Sequence, residues 1–148
     1  MIAVKRSAAP PRPVVLCVDD DPAVLASLRR LLRNESCTLL TAQTPQRALE
    51  LMDEADVSIL IADQRMPGMY GSELLKEAQL RSPRTTRVLL TGYAGTSMVT
   101  GPLLEGVEIL VAKPWEDRSL RRMIREMLEG REREASRREK SLGERSSA

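Results

Sequence analysis

The 148-residue chain predicts an α/β fold, a three-layer, doubly wound sandwich around a five-stranded parallel sheet. Three observations predict it. Short apolar runs of strand length alternate with stretches of helical period along most of the sequence. The runs are apolar at almost every position, as strands covered on both faces are. Helix-length segments connect them, which parallel neighbours require.

Residues 1–12 hold two prolines, with a third at 13, among small and basic residues and read as a disordered lead-in. VVLCV (14–18) is the first strand. In 23–34, Val24, Leu25, Leu28, Leu31 and Leu32 fall at helical spacing, with Pro22 early in the helix, where its missing N–H is harmless. CTLLTA (37–42) is the second strand, and Thr44-Pro45 opens a helix through about Asp53. VSILIA (57–62) and SELLKEAQL (72–80) follow as strand and helix, then strands RVLLT (87–91) and VEILVA (107–112). A last helix is expected from Glu116 to Leu128, with an apolar stripe of Leu120, Met123, Ile124, Met127 and Leu128. One domain therefore spans 13–128. Residues 129–148 lose the stripe, and Gly130 weakens any helix there, so a charged, solvated tail is expected, although alternating charges can carry the helix some turns further.

Composition narrows the function classes. Aromatics are 2% and Phe is absent, so the core must be aliphatic. The chain has no His, which rules out imidazole metal sites and Ser-His triads. No apolar run approaches the roughly 20 residues of a membrane span, and the basic start has no apolar segment of signal-peptide type. Cys17 and Cys37 sit inside strand-like runs and read as reduced core thiols of a cytoplasmic protein rather than a disulfide. The net charge of +2 comes from the ends; residues 13–128 carry 14 Lys or Arg against 16 Asp or Glu. With no basic cluster, nucleic acid is not expected as a partner.

Ligands of parallel α/β sheets bind outside the carboxyl ends of the strands. Here the first strand ends in Asp19, Asp20 and Asp21, the third in Asp63, the fourth in Thr91-Gly92 and the fifth in Lys113-Pro114. Carboxylates gathered so closely repel unless a cation joins them. An all-oxygen set suits Mg²⁺, and a lysine with a threonine suits phosphoryl oxygens. An Asp among them can act as nucleophile and form an aspartyl phosphate. Singly each signal is weak: an Asp-Asp after a strand is often a helix cap, and Asp20 or Asp21 is expected to cap the first helix. Their joint occurrence at four strand ends carries the reading.

The segments VVLCVDDDP, LIADQRMPGMYGSELL, VLLTGYA and VAKPW resemble the receiver domain of two-component response regulators over residues 13–128. The DQRMPG, LTGY and KPW variants are similar to receivers of hydrogenase-type transcriptional regulators and HD-type cyclic-dinucleotide phosphodiesterases. The resemblance implies a flavodoxin-like sheet of order 2-1-3-4-5 and Asp63 as phospho-acceptor. It implies Mg²⁺ on Asp20, Asp19, Asp63 and the Arg65 backbone carbonyl, with Thr91 and Lys113 on the phosphoryl oxygens. It further implies a cytoplasmic switch rather than a turnover enzyme. A sensor histidine kinase or phosphotransfer protein would be the donor, with a downstream protein partner. A homodimer would use the fourth-helix, fifth-strand, fifth-helix face. In receivers generally, side chains at the positions of Arg65 and Tyr93 look onto the path of hydrolytic water.

Three residues depart from the pattern. Leu110 replaces the aromatic that swings inward on activation in most receivers, and Tyr70 replaces an acid before Gly71. Gly101-Pro102 falls within 95–106, where a fourth helix is expected, and an interior Pro costs about 3 kcal/mol. The competing readings are a haloacid-dehalogenase-type phosphatase using Asp19-Asp20-Asp21 as its D-x-D, and a receiver-shaped binding module that is never phosphorylated. The first lacks a cap insertion and a late acidic pair, and leaves Asp63 unexplained.

Overall fold

A computed structural model describes residues 12–92 and 104–146. Five strands, β1 (Val14–Val18), β2 (Thr38–Ala42), β3 (Val57–Asp63), β4 (Thr86–Thr91) and β5 (Ile109–Ala112), form one parallel sheet of order β2-β1-β3-β4-β5. Four helices are described: α1 (Pro22–Leu31), α2 (Pro45–Glu54), α3 (Gly71–Arg81) and α4 (Asp117–Ser146). The fold class and strand order are those expected.

The pleat of each strand sorts its apolar residues between two layers. Val15, Cys17, Ile59, Ile61, Val88 and Leu90 face α1 and α4, meeting Leu25, Leu28, Leu31, Leu120, Ile124 and Leu128. Leu16, Val18, Leu60, Ala62 and Leu89 face the other way, against Ala48, Leu51 and Met52 of α2 and Leu74, Leu75 and Ala78 of α3. Both cysteines are buried free thiols, and burial pushes Cys17 up to about 12. At roughly 25 cal/mol per Å² of buried apolar surface, these two aliphatic layers are the main source of stability.

Local signals account for the helix starts. Asp21 caps α1 by accepting the Ala23 N–H at 2.9 Å, with Pro22 at the first helical position. Thr44 caps α2 through the Arg47 N–H at 3.1 Å, again ahead of a proline.

Three boundaries differ from expectation by more than one residue. α1 ends at Leu31 rather than 34, with Leu32 at its C-cap. β5 begins at Ile109 rather than 107, because the Val107 N–H closes a turn on Leu104 O and Glu108 N–H bonds Arg87 O. The last helix does not stop at Leu128 but runs to Ser146. Its Arg, Glu and Lys residues are good helix formers, and one Gly costs only about 1 kcal/mol against Ala. Residues 132–143 are exposed, so this half is helical without a core beneath it. The Gly101-Pro102 pair lies outside the described residues.

Candidate functional site

The site forms where strand alternation runs off the carboxyl edge. Continuing the face of Val15 and Cys17 places Asp19 at the end of β1. Ile59 and Ile61 lead likewise to Asp63, and Ile109 and Val111 to Lys113. Lys113 Nζ lies 2.7 Å from Asp63 Oδ1 and 3.2 Å from Asp19 Oδ2. Thr91, on the opposite face of β4, is 1% exposed, and its carbonyl accepts the Lys113 N–H at 2.9 Å. Carboxylate oxygens of Asp19, Asp20 and Asp63 all lie within 4.8 Å of one another. Asp19 and Asp63 are buried while Asp20 is exposed.

Those distances answer why a charge can sit at the end of a buried strand: an ammonium reaches it. Burial works to lower the Lys113 pKa, but the hydrogen bond to Asp63 and the charges of Asp19 and Asp63 outweigh it and raise the value. The Asp19 carboxyl is held above the ordinary range, first by burial and then by the Asp63 charge. The Asp21 N–H, donating to Asp19 Oδ1 at 2.9 Å, and Lys113 oppose that rise. Close acidic oxygens, with no sulfur or imidazole among the grouped ligand atoms of the described residues, fit a hard divalent cation of the Mg²⁺ kind.

Of the other expected site residues, Arg65 lies exposed on the loop after β3, and Tyr93 falls outside the described residues. Leu110 is 38% exposed on β5. Tyr70 is 54% exposed and precedes α3 without a side-chain capping bond.

The structure adds three residues that sequence reasoning passed over. Gly71 opens α3 so close to β3 that a Cβ there would land on the Asp63 carbonyl oxygen and 2.9 Å from Leu89 Cδ1. Gln64 is buried, and its Oε1 accepts the Ser72 N–H at 2.8 Å. Arg87, 6% exposed, donates to Gly106 O at 2.7 Å and Thr85 O at 2.9 Å and pairs with Glu108 at 3.1 Å. An Arg opening an apolar strand was the one visible signal for the last.

A groove of about 610 Å³ lies beside Lys113, lined by Val24, Arg30 and Leu31 of α1, Pro114 and Trp115, and Arg121 of α4.

Residues 15–125 match the family model of the response regulator receiver domain. The chain belongs to that family. The hydrogenase transcriptional regulatory protein HoxA of Cupriavidus necator is 34% identical over 116 residues, which are 78% of this chain and 24% of HoxA. The transcriptional regulatory protein FixJ of Azorhizobium caulinodans is 29% identical over 127 residues, 86% of this chain and 60% of FixJ. This receiver thus spans about a quarter of the length of HoxA. Among solved structures, the signal receiver domain of an HD domain-containing protein from Pseudomonas fluorescens superposes with a TM-score of 0.78. It is 31% identical, and the match covers 90% of this chain and 99% of that one. Receiver domains are signalling switches, and the phosphatase reading is not favoured by any of these likenesses.

Proposed function

We propose that this receiver accepts a phosphoryl group on Asp63 with the help of Mg²⁺ and uses it to switch a protein contact. The observation that carries the reading is Lys113 Nζ between Asp63 and Asp19, with Asp20 completing a tight carboxylate group. Asp19, Asp20 and Asp63, with the Arg65 backbone carbonyl, would hold the ion. The bound cation supplies charge neutralisation for the carboxylates and the incoming phosphoryl oxygens. A carboxylate oxygen of Asp63 attacks phosphorus, and the bond from phosphorus to the donor's leaving atom breaks, the leaving group keeping the electron pair. Lys113 stays charged throughout and pairs with the phosphoryl oxygens, while the Thr91 hydroxyl donates to one of them. The product is a mixed anhydride, and the donor is a phosphohistidine of a sensor kinase or phosphotransfer protein.

The groove of Arg30, Arg121 and Trp115 beside Lys113 offers a donor protein a surface next to the acceptor. A cytoplasmic setting suits this partner set, and no helix among the described residues is long and apolar enough to cross a membrane. The receiver module is 13–128, and the charged helical extension beyond it is not needed for the chemistry.

The test is incubation with acetyl phosphate and Mg²⁺ followed by intact mass. A gain of one phosphoryl group in the wild type and none in Asp63→Asn is expected. Labelling that persists in that variant would move the nucleophile to Asp19 or Asp20. Water gating by Arg65 and Tyr93 belongs to the same reading. Arg65→Asn with Tyr93→Ala should speed phosphate release after donor removal, with an unchanged Mg²⁺ requirement; an unchanged release rate would exclude gating.

A further inference from the structure

Gln64 follows the acceptor directly and makes three hydrogen bonds from one residue. Its N–H donates to Leu90 O at 3.0 Å, its carbonyl accepts the Gly71 N–H at 2.9 Å, and its Oε1 accepts the Ser72 N–H at 2.8 Å. The first bond extends the β3–β4 pairing past Asp63, and the other two take up the first free N–H groups of α3. Tyr70, at the cap position of α3, makes no side-chain capping bond, so Gln64 supplies from outside what the helix lacks locally. The Ser72 hydroxyl is buried and has no partner among the described residues, so the residue's part in the link is its backbone N–H. Between the two anchored ends, residues 65–70 form a closed loop that turns at Gly68, φ 87°.

We propose that Gln64 is a positioning residue for metal binding: its amide ties α3 to the end of β3 and so aims the Asp63 carboxylate on one side and the Arg65 carbonyl on the other. The inference rests on the metal-dependent reading of the site. Gln64 does not touch the ion. It acts as residues behind a metal ligand do, by fixing the direction of the ligands, and loss of such a partner typically costs 10–100-fold in affinity.

The experiment is calorimetric titration of the intact chain with Mg²⁺ alone, paired with hydrogen exchange at the Ser72 amide. Gln64→Met keeps the volume but removes the acceptor. It should weaken Mg²⁺ binding by about ten-fold or more and speed exchange at Ser72. Gln64→Glu retains an acceptor oxygen and should restore Ser72 protection. Ser72→Ala removes only a hydroxyl with no partner among the described residues and should leave Mg²⁺ affinity as it is. If Gln64→Met does not fold, Gln64→Asn, too short to reach Ser72, is read in its place. A folded Gln64→Met or Gln64→Asn with wild-type Mg²⁺ affinity, or with unchanged Ser72 exchange, overturns the proposal. A wild-type chain that binds no Mg²⁺ sinks the metal reading itself, and this inference with it.

Discussion

At the residue scale, the site shows how an isolated interaction acquires a direction from its neighbours. Asp20 differs from Asp19 and Asp63 in being exposed and in having no ion pair to Lys113 among the described residues. It is the carboxylate whose charge is left for a cation to satisfy. Asp20→Ala should lose Mg²⁺ binding and acetyl-phosphate labelling while keeping its melting temperature. Labelling at ordinary Mg²⁺ in that variant would make Asp19 or Asp21 the ligand. Gly71 makes the opposite kind of prediction, about stability. Its missing Cβ leaves room for backbone against backbone, which cannot yield as a flexible side chain would. Gly71→Ala should therefore cost about 1–3 kcal/mol or more in a denaturant melt, whereas Gly130→Ala, with nothing near its Cβ, should stabilise α4 by roughly 1 kcal/mol.

At the element scale, α4 is tied to the end of α1, its neighbour on the same face of the sheet, by charge as well as by its apolar stripe. Arg125 grips Glu35 through two hydrogen bonds, at 2.9 and 2.8 Å, and Arg121 donates to Leu31 O at the end of α1. The Arg125 hydrogen bond, with burial opposing, holds the Glu35 carboxyl below its ordinary 4.5. A lowered carboxylate pKa means the unfolded chain takes up the proton first as pH falls. The pair's contribution is thus complete above about pH 4.5 and fades as pH falls through the folded-state value. Because Arg125 is 55% exposed, the contribution is screened. Glu35→Gln should flatten the acid limb of the stability curve and leave stability near neutral pH only slightly reduced; an unaltered acid limb would remove the pair from the account. Arg87 clamps the turn at 106–108 to β4 in a drier setting. Arg87→Met strands the Gly106 and Thr85 carbonyls and should cost about 1–3 kcal/mol, read from the denaturant midpoint.

At the scale of the whole molecule, stability and length are separable. Both apolar layers are complete by Leu128, and Arg131, which donates to Thr86 at 3.1 Å, is the last residue of α4 with a described contact to the sheet. At 1.5 Å per residue the 30-residue helix is about 45 Å long, and its outer half stands clear of the body. Ending the chain after Arg131 should lower helical circular dichroism yet leave the melting temperature within about 2 °C, since burial and not helix propensity sets that temperature. A drop much larger than that would show the outer half to be packed on the body.

The sequence by itself determined the order of elements, the parallel sheet and the place of Asp19, Asp20, Asp63, Thr91 and Lys113 at the strand ends. Each of these depends on local information: a run's length, its apolar continuity, and the residue that follows it. The cap of α1 was legible as Asp20 or Asp21, of which the structure uses Asp21, and Thr44-Pro45 was legible as the opening of α2, for the same reason. What only the tertiary structure decided is which groups meet across the chain. Lys113 touching Asp19 is a contact between residues 94 apart, and Arg87 reaching Gly106 spans 19. Gln64 capping a helix that begins seven residues later has no periodic signature, because a cap supplied from outside the N-cap position follows no fixed spacing. The end of α4 was missed on different grounds. Loss of an apolar stripe marks where a helix leaves the core, while the helix itself ends only where backbone hydrogen bonding does.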